Sequence, residues 1–121
     1  MKNDVVIRKM LGYIEKVLKY TQGMDYDTFI KQEVIMEACI FNMSQLGELV
    51  GKIDSEYRAI HKEIPWAQIY GLRNRIVHDY EGVNFMLVWE IICNDLPELR
   101  EMLINIRELT ADEKRNIIGK G

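Results

Sequence analysis

The sequence predicts an all-α protein, an antiparallel bundle of about four long helices with one short connecting helix. Apolar residues recur every three or four positions through most of the 121-residue chain. No segment alternates apolar and polar residues as a half-buried strand does. Two prolines and eight glycines leave little material for long loops. We therefore expect one helical domain over residues 1–109, followed by a polar tail over residues 110–121.

The first helix is predicted from Asn3 to Thr21, with Asn3 as its N-cap and Gly23 just beyond its end. Its apolar stripe has helical spacing and consists of Val6, Met10, Tyr13, Val17 and Tyr20. Plain core packing accounts for this helix.

The second helix is predicted from Thr28 to Ile53, with Asp27 as its cap. Apolar residues cover most of its circumference, so it should be central, packed by neighbours on several sides or by a second subunit. Gly47 would let another helix approach closely. Glu48 lies on the remaining polar stripe, where the ordinary interpretation is a solvated face.

A short charged segment, residues 54–64, should hold one helical turn before Pro65 opens the next helix at its first position. That helix should run to about Asp79. Asn84 is a suitable N-cap for the last helix, whose apolar register continues through Pro97. One kinked helix or two nearly collinear helices are therefore expected there.

The helix after Pro65 carries an unusual group of polar residues within eight positions, Arg73, Asn74, His78 and Tyr80. In a continuous helix Arg73 would share an apolar stripe with Trp66, Ile69, Ile76 and Tyr80. Arg is rarely buried unless it is paired. Asn74 and His78 would share a second stripe with two small residues, Ala67 and Gly71. Taken singly, each residue has an ordinary explanation, such as a solvated guanidinium, a cation near a helix end or a half-buried phenol. Their coincidence favours a functional site.

Charge and composition exclude several classes of protein. The net charge of −3 argues against broad electrostatic attraction to DNA or to a membrane, although it allows a local basic patch. Such a patch would comprise Lys52, Arg58, Lys62, Arg73 and Arg75. No apolar run reaches transmembrane length and no signal peptide is recognisable, so we expect no membrane association.

The cysteines and histidines lack metal-ligand spacing. Cys39 and Cys93 lie within apolar runs, where buried free thiols in a reducing cytoplasm are expected. His61 is the one other histidine, and it forms no HxxxH or HxxH pair with His78. We expect neither a metal site nor a cofactor.

The stretch from Arg73 to Tyr80 matches the pattern R-x4-H-x-Y and resembles the HEPN superfamily, most closely the HepT toxins of HepT–MntA toxin–antitoxin pairs. The resemblance covers most of the chain. It includes Leu46-Gly47-Glu48, Ile64-Pro65-Trp66, Tyr80-Glu81-Gly82-Val83 and Leu96-Pro97-Glu98-Leu99. It implies a HEPN-like bundle, a homodimer whose motif helices meet at the two-fold axis, and a metal-independent ribonuclease.

The motif residues suit that chemistry. Cleavage of RNA without a metal uses the neighbouring 2′-OH as nucleophile, and it requires a base, an acid and positive charge on the phosphate. His78 suits proton transfer, Arg73 suits the phosphate, and Asn74 could orient the imidazole or the substrate. Glu48 and Arg75 are candidates for supporting roles, and Arg75 is also open to a merely solvated interpretation.

The expected site needs two chains. On a helix, Arg73 and His78 would lie about 140° apart, so within one protomer they would not share a face. A two-fold dimer brings one chain's Arg towards the other's His, and it also supplies a second His for acid and base.

The resemblance assigns Tyr80 a regulatory role, since in HepT–MntA pairs the antitoxin is a small nucleotidyltransferase that adds AMP to this Tyr. The added phosphates would repel RNA. One alternative is a non-catalytic helical dimer that binds a nucleotidyltransferase partner or a nucleotide, and another is a structural bundle without a site. The acidic net charge favours the binding alternative, whereas the intact Arg, His and Tyr favour the ribonuclease.

Overall fold

The computed structural model describes residues 2–78, 82–107 and 115, with His78 described by its backbone alone. Within these residues the protein consists of helices and one pair of two-residue β-strands, so the predicted all-α class is confirmed. Tyr80 and the predicted tail at 110–121, apart from Arg115, lie outside the described residues.

Helix α1 (Lys2–Tyr20) packs along the central helix α3 (Glu33–Leu49). Of its predicted apolar stripe, Val6, Met10 and Val17 are buried, whereas Tyr13 is half-buried and Tyr20 is exposed. The predicted first helix is confirmed. Asn3 is not its N-cap, because the helix already includes Lys2. The Asn3 side chain instead accepts a hydrogen bond from the backbone N–H of Asp54 at 3.1 Å and donates to the Asp54 carboxylate at 3.3 Å. Asn3 therefore ties the start of α1 to the segment that follows α3.

The predicted helix over residues 28–53 is interrupted. Helix α2 (Tyr26–Lys31) ends at Gln32, whose backbone leaves the helical region, and α3 follows before a 3₁₀ turn (Val50–Lys52). The N-cap is Asp25 rather than Asp27, and its carboxylate accepts the Thr28 N–H at 2.8 Å. This hydrogen bond holds the pKa of Asp25 below its usual value.

Tertiary packing explains the break at Gln32. Phe29 on α2 is fully buried, and its ring centroid lies 4.9 Å from that of Trp89. The break lets α2 take a direction of its own, and it packs against both α3 and the last helix. A buried aromatic pair is stronger than the propensity of one residue.

The short helix α4 (Ser55–Ile60) occupies the predicted connecting segment. Helix α5 (Trp66–Tyr70) then begins one residue later than predicted, because Pro65 stands at the N-cap with a non-helical ψ of 67°. The indole N–H of Trp66 donates to the backbone carbonyl of His61 at 3.0 Å. This hydrogen bond and the burial of Trp66 fix the start of α5 on the core.

The last helical segment is continuous through Pro97. Helix α7 (Phe85–Glu90) passes into a π-helical turn (Ile91–Asp95) and then into α8 (Leu96–Ile106). Pro97 lies in the first turn of α8, where its missing N–H is tolerated. The apolar register predicted that the helix continues through Pro97, and the wider π turn accommodates this proline.

Helix α3 approaches α5 closely at Gly47. A Cβ atom at this position would lie 2.7 Å from the backbone oxygen of Ile69, so no larger residue fits without movement. The predicted close approach of another helix at Gly47 is confirmed. In the described part of the chain, no helix combines the length and apolar character needed to cross a membrane.

Candidate functional site

The candidate site lies on α5, on helix α6 (Leu72–Ile76) and on strand β1 (Val77–His78). Gly71 joins the two helices, and helical hydrogen bonds run through it from the Gly71 N–H to Ala67 and from the Arg75 N–H to Gly71. The segment is anchored by four buried side chains, namely Trp66, Ile69, Leu72 and Ile76. The polar motif residues are therefore carried on a short, well-packed support.

The motif helix ends at Ile76, three residues before the predicted end at Asp79. Strand β1 turns away and pairs antiparallel with β2 (Gly82–Val83), with Val77 opposite Val83 and His78 opposite Gly82. The prediction that His78 lies on the helix is therefore wrong. Its backbone is extended and belongs to a small β pair.

Packing and hydrogen bonding explain the early end of the helix. Ile76 and Val77 are β-branched, and both Val77 and Val83 pack against the core. The backbone N–H of Asn84 donates to the Ile76 carbonyl at 2.8 Å, which satisfies a group that a helix end leaves free. Gly82 has a φ of +83°, a conformation that favours glycine, and it allows the chain to return.

Arg73 does not lie on the buried stripe that the sequence suggested. Leu72 takes that position and is 3% exposed, whereas Arg73 is exposed to solvent. Both residues fit a helical register after Ile69, and burying a leucine avoids the cost of desolvating a guanidinium. Burial on the apolar stripe is therefore no reason to assign Arg73 a function.

Asn74 is also exposed, next to Arg73 in the last turn of α6. Within the described residues neither side chain forms a hydrogen bond or an ion pair, so both have their polar groups available. Two predictions assumed that the helix continues to His78. They are the shared stripe of Asn74 and His78 and the 140° separation of Arg73 from His78. Neither applies, because His78 lies on the extended strand β1.

Arg75 is half-buried and lines a cavity of about 320 Å³. Buried aliphatic residues from α3, α5, α6, the π turn and α8 form much of its wall. Other polar residues around it include Glu63, Gln68, Asp95 and Glu98. This cavity could not be predicted from the sequence, because its walls come from segments distant along the chain and one of them is a π turn.

Glu48 is exposed on α3, next to the Gly47 contact with α5. Its side chain faces solvent, as the ordinary interpretation of the sequence predicted. The Gly-Glu pair thus places a carboxylate near the motif support, while Gly47 itself fixes the distance between the two helices.

The two cysteines differ. Cys39 is fully buried, and burial raises the pKa of its thiol to about 11. Cys93, in the π turn, is a free thiol exposed to solvent, so the expectation that both are buried is wrong for Cys93. A π turn shifts the helical phase by one residue, which a reading of the apolar pattern with α-helical spacing cannot anticipate. No group of three metal-ligating His, Cys, Asp or Glu side chains is found among residues 2–78, 82–107 and 115.

Known proteins show what this chain is similar to. The family model described as "Ribonuclease HepT-like" matches residues 10–106. A protein named "Putative RNase TTE0752" from Caldanaerobacter subterraneus subsp. tengcongensis is 30% identical over 108 residues, which cover 89% of this chain and 94% of that protein.

Two archaeal proteins are also similar. A protein named "Putative RNase MJ0125" from Methanocaldococcus jannaschii is 33% identical over 76% of this chain and 79% of its own length. A protein named "Probable ribonuclease HepT" from Thermococcus cleftensis is 25% identical over 78% of this chain and 86% of its own length. No solved structure is significantly similar to the chain.

Proposed function

The chain belongs to the HepT-like ribonuclease family, and on that premise we propose that it is a metal-independent endoribonuclease, the toxin of a toxin–antitoxin pair. The observation that carries this proposal is the pair of exposed side chains Arg73 and Asn74 on a firmly packed helix, directly before the backbone of His78. The Arg73 guanidinium has no hydrogen-bond or ion-pair partner among the described residues, and such a fork of donors is well suited to hold a phosphodiester.

In the proposed reaction, the 2′-OH of one nucleotide attacks the adjacent phosphorus while a base accepts its proton. The bond from phosphorus to the 5′-oxygen breaks, and an acid donates a proton to that oxygen. The products are a 2′,3′-cyclic phosphate and a 5′-hydroxyl. His78 serves in proton transfer and Arg73 stabilises the charge on the phosphoryl oxygens. Asn74 orients the substrate or the imidazole.

We place this reaction at a homodimer interface, where a second chain supplies a second His78. Helix α3 carries two exposed apolar residues seven positions apart, Val34 at 79% exposed and Phe41 at 61%. This spacing puts them on one face of the helix. The same helix packs against α5 and α6, which carry the motif. A second copy of the chain covering this face would remove both apolar side chains from water.

The proposed regulator is an MntA-like nucleotidyltransferase antitoxin that adds AMP to Tyr80. AMP units on Tyr80 would bring negative charge to within seven residues of Arg73 and compete with RNA for its guanidinium. Co-expression with a cognate transferase, followed by peptide mass spectrometry, tests this assignment. An adduct on Tyr80 is expected, and an adduct on another residue would contradict it.

The reaction is tested with a short RNA in which the nucleotide on the 5′ side of the cut carries 2′-deoxyribose. Without the 2′-OH no cyclic phosphate can form, so cleavage at that bond should disappear while other bonds are cut as before. The unmodified RNA should give products with 5′-hydroxyl ends. Cleavage at the deoxy position, or products with 5′-phosphates, would contradict the mechanism.

A second candidate is a protein that binds a nucleotide or a similar small ligand in the cavity beside Arg75 without cleaving RNA. There the Arg75 guanidinium would have to hold a phosphate against the carboxylates of Glu63, Asp95 and Glu98. The cavity volume of about 320 Å³ lies at the lower end of the range for small-molecule sites. Calorimetric titration with AMP and ATP tests it, using Arg75→Gln and the charge-matched Lys9→Gln on α1. Loss of measurable binding in Arg75→Gln alone would support this candidate, and no binding by the unchanged protein would exclude these two ligands.

A further inference from the structure

Tyr70 is the last residue of α5 and is 65% exposed. It is more exposed than the other tyrosines that the structure describes, and the mechanism above does not use it. A single exposed aromatic residue needs no explanation in itself. The position of Tyr70 relative to the motif gives it significance.

Tyr70 shares the solvent-facing side of the motif support with Arg73 and Asn74. The three residues have the spacing i, i+3 and i+4, which puts side chains next to each other on a helix. The spacing holds across Gly71, because the Gly71 N–H donates to the Ala67 carbonyl at 3.0 Å and the next helical hydrogen bond returns to Gly71 at 3.1 Å. All three side chains are exposed.

The 3₁₀ turn that follows α3 lies against the ring of Tyr70. A Cβ atom at Gly51 would be 3.7 Å from Cε2 of Tyr70, an ordinary van der Waals distance. The ring therefore has support on one side while most of its surface faces solvent. Lys52, the next residue of the same turn, is exposed and carries a positive charge.

We propose that Tyr70 stacks against an RNA base next to the phosphate held by Arg73, with Lys52 contacting the sugar–phosphate backbone. This inference rests on the proposed ribonuclease function and specifies its substrate, a single-stranded segment with an unpaired base beside the cut. A tyrosine ring and a base stack through their π faces, and the contact tolerates any base. Stacking also supplies affinity that does not depend on overall charge, which suits a protein with a net charge of −3.

The substrate preference follows from the same contact. A base inside a duplex is already stacked on its neighbours, so a ring on the protein can reach it only after unpairing. Cleavage of an unpaired strand should therefore be faster than cleavage of the same strand annealed to its complement. A preference for the duplex would overturn the proposal.

The direct test compares Tyr70→Ala and Tyr70→Phe with the unchanged protein on a single-stranded RNA. Loss of the ring should reduce kcat/KM about five- to a hundredfold, mainly through KM, because base stacking has a free energy of that order. Tyr70→Phe should retain most of the activity, since stacking does not require the hydroxyl. Tyr20→Ala, an exposed tyrosine at the end of α1, is the matched control and should change nothing.

A double-mutant cycle identifies the partner of the ring. The unchanged protein should cleave an RNA with an abasic nucleotide next to the cut more slowly than the intact RNA. Tyr70→Ala should cleave the two RNAs at nearly the same rate, because the substitution and the abasic nucleotide remove the same contact. Additive losses would overturn the proposal, as would full activity of Tyr70→Ala at unchanged dimer mass. Absence of cleavage by the unchanged protein would instead contradict the proposed function itself.

Discussion

At the scale of single residues, the sequence predicted roles where the chemistry is local. The cap formed by Asn84 follows from its amide and from the apolar residues on either side of it, and the structure confirms it. The sequence could not show whether Leu72 or Arg73 is buried, because both residues fit the helical period after Ile69. Only the three-dimensional environment decides, through the cost of desolvating a guanidinium.

The cap at Asn84 should be measurable in stability. Its side chain accepts the Leu87 N–H at 3.0 Å, and replacement by Ala removes this bond. We expect Asn84→Ala to lower the free energy of unfolding by about 1 kcal/mol. Asn94→Ala removes an exposed asparagine of the π turn that has no hydrogen-bond partner among the described residues, and it should change the free energy of unfolding by no more than about 0.5 kcal/mol. Equal effects in urea unfolding of the two variants would contradict this account.

The cysteines should react unequally in the native protein. Cys93 is exposed, whereas Cys39 is buried with a thiol pKa of about 11, so little thiolate forms at Cys39 near neutral pH. Iodoacetamide at pH 8 should label Cys93 first, and mass spectrometry of the peptides identifies the site. Equal labelling of both cysteines in the folded protein would show that Cys39 is more accessible than the structure indicates.

At the scale of helices, the apolar period predicted which segments are helical, but tertiary contacts determined where they end. The motif helix stops at Ile76 because Val77 and Val83 pack on the core and Asn84 satisfies the Ile76 carbonyl. The break at Gln32 likewise depends on a ring contact between Phe29 and the distant Trp89. Neither interaction is visible in a local window of sequence.

The contact between α3 and α5 can be tested with a pair of glycines. Gly47→Ala places a methyl group 2.7 Å from a backbone oxygen and should destabilise the protein by about 1–3 kcal/mol, with a loss of activity as α5 moves. Gly12→Ala on α1 meets no atom within 4 Å and should stabilise it by about 0.5–1 kcal/mol. Thermal unfolding measures both. A neutral Gly47→Ala would contradict the close approach.

At the scale of the whole molecule, the fold class could be predicted from the helical period of the apolar residues. The family could be predicted from the R-x4-H-x-Y motif and its neighbours. The position of His78 off the helix could not be predicted because it depends on the packing of Val77 and Val83 against the core. The cavity at Arg75 could not be predicted because segments far apart in the chain form its walls. The proposed dimer would use the exposed face of α3, where Val34 and Phe41 lie.

The proposed dimer is tested by its mass in solution. Light scattering after gel filtration should give about twice the chain mass of 14.3 kDa. Phe41→Glu should shift the protein towards the monomer, because a carboxylate in a dry interface is costly. Ile60→Glu, at an apolar residue on α4 that is even more exposed than Phe41, should leave the dimer intact. A monomeric unchanged protein, or a Phe41→Glu dimer of unchanged affinity, would contradict the proposed interface.

The most direct test of the central claim is cleavage of total RNA and transfer RNA by the purified protein in EDTA, with Arg73→Ala and His78→Ala in parallel. Mass spectrometry first establishes that Tyr80 carries no AMP. We expect the unchanged protein to cleave RNA in EDTA, and both variants to lose at least a hundredfold in rate while remaining folded dimers. No cleavage by the folded, unmodified protein, or full activity in either variant, would contradict the account.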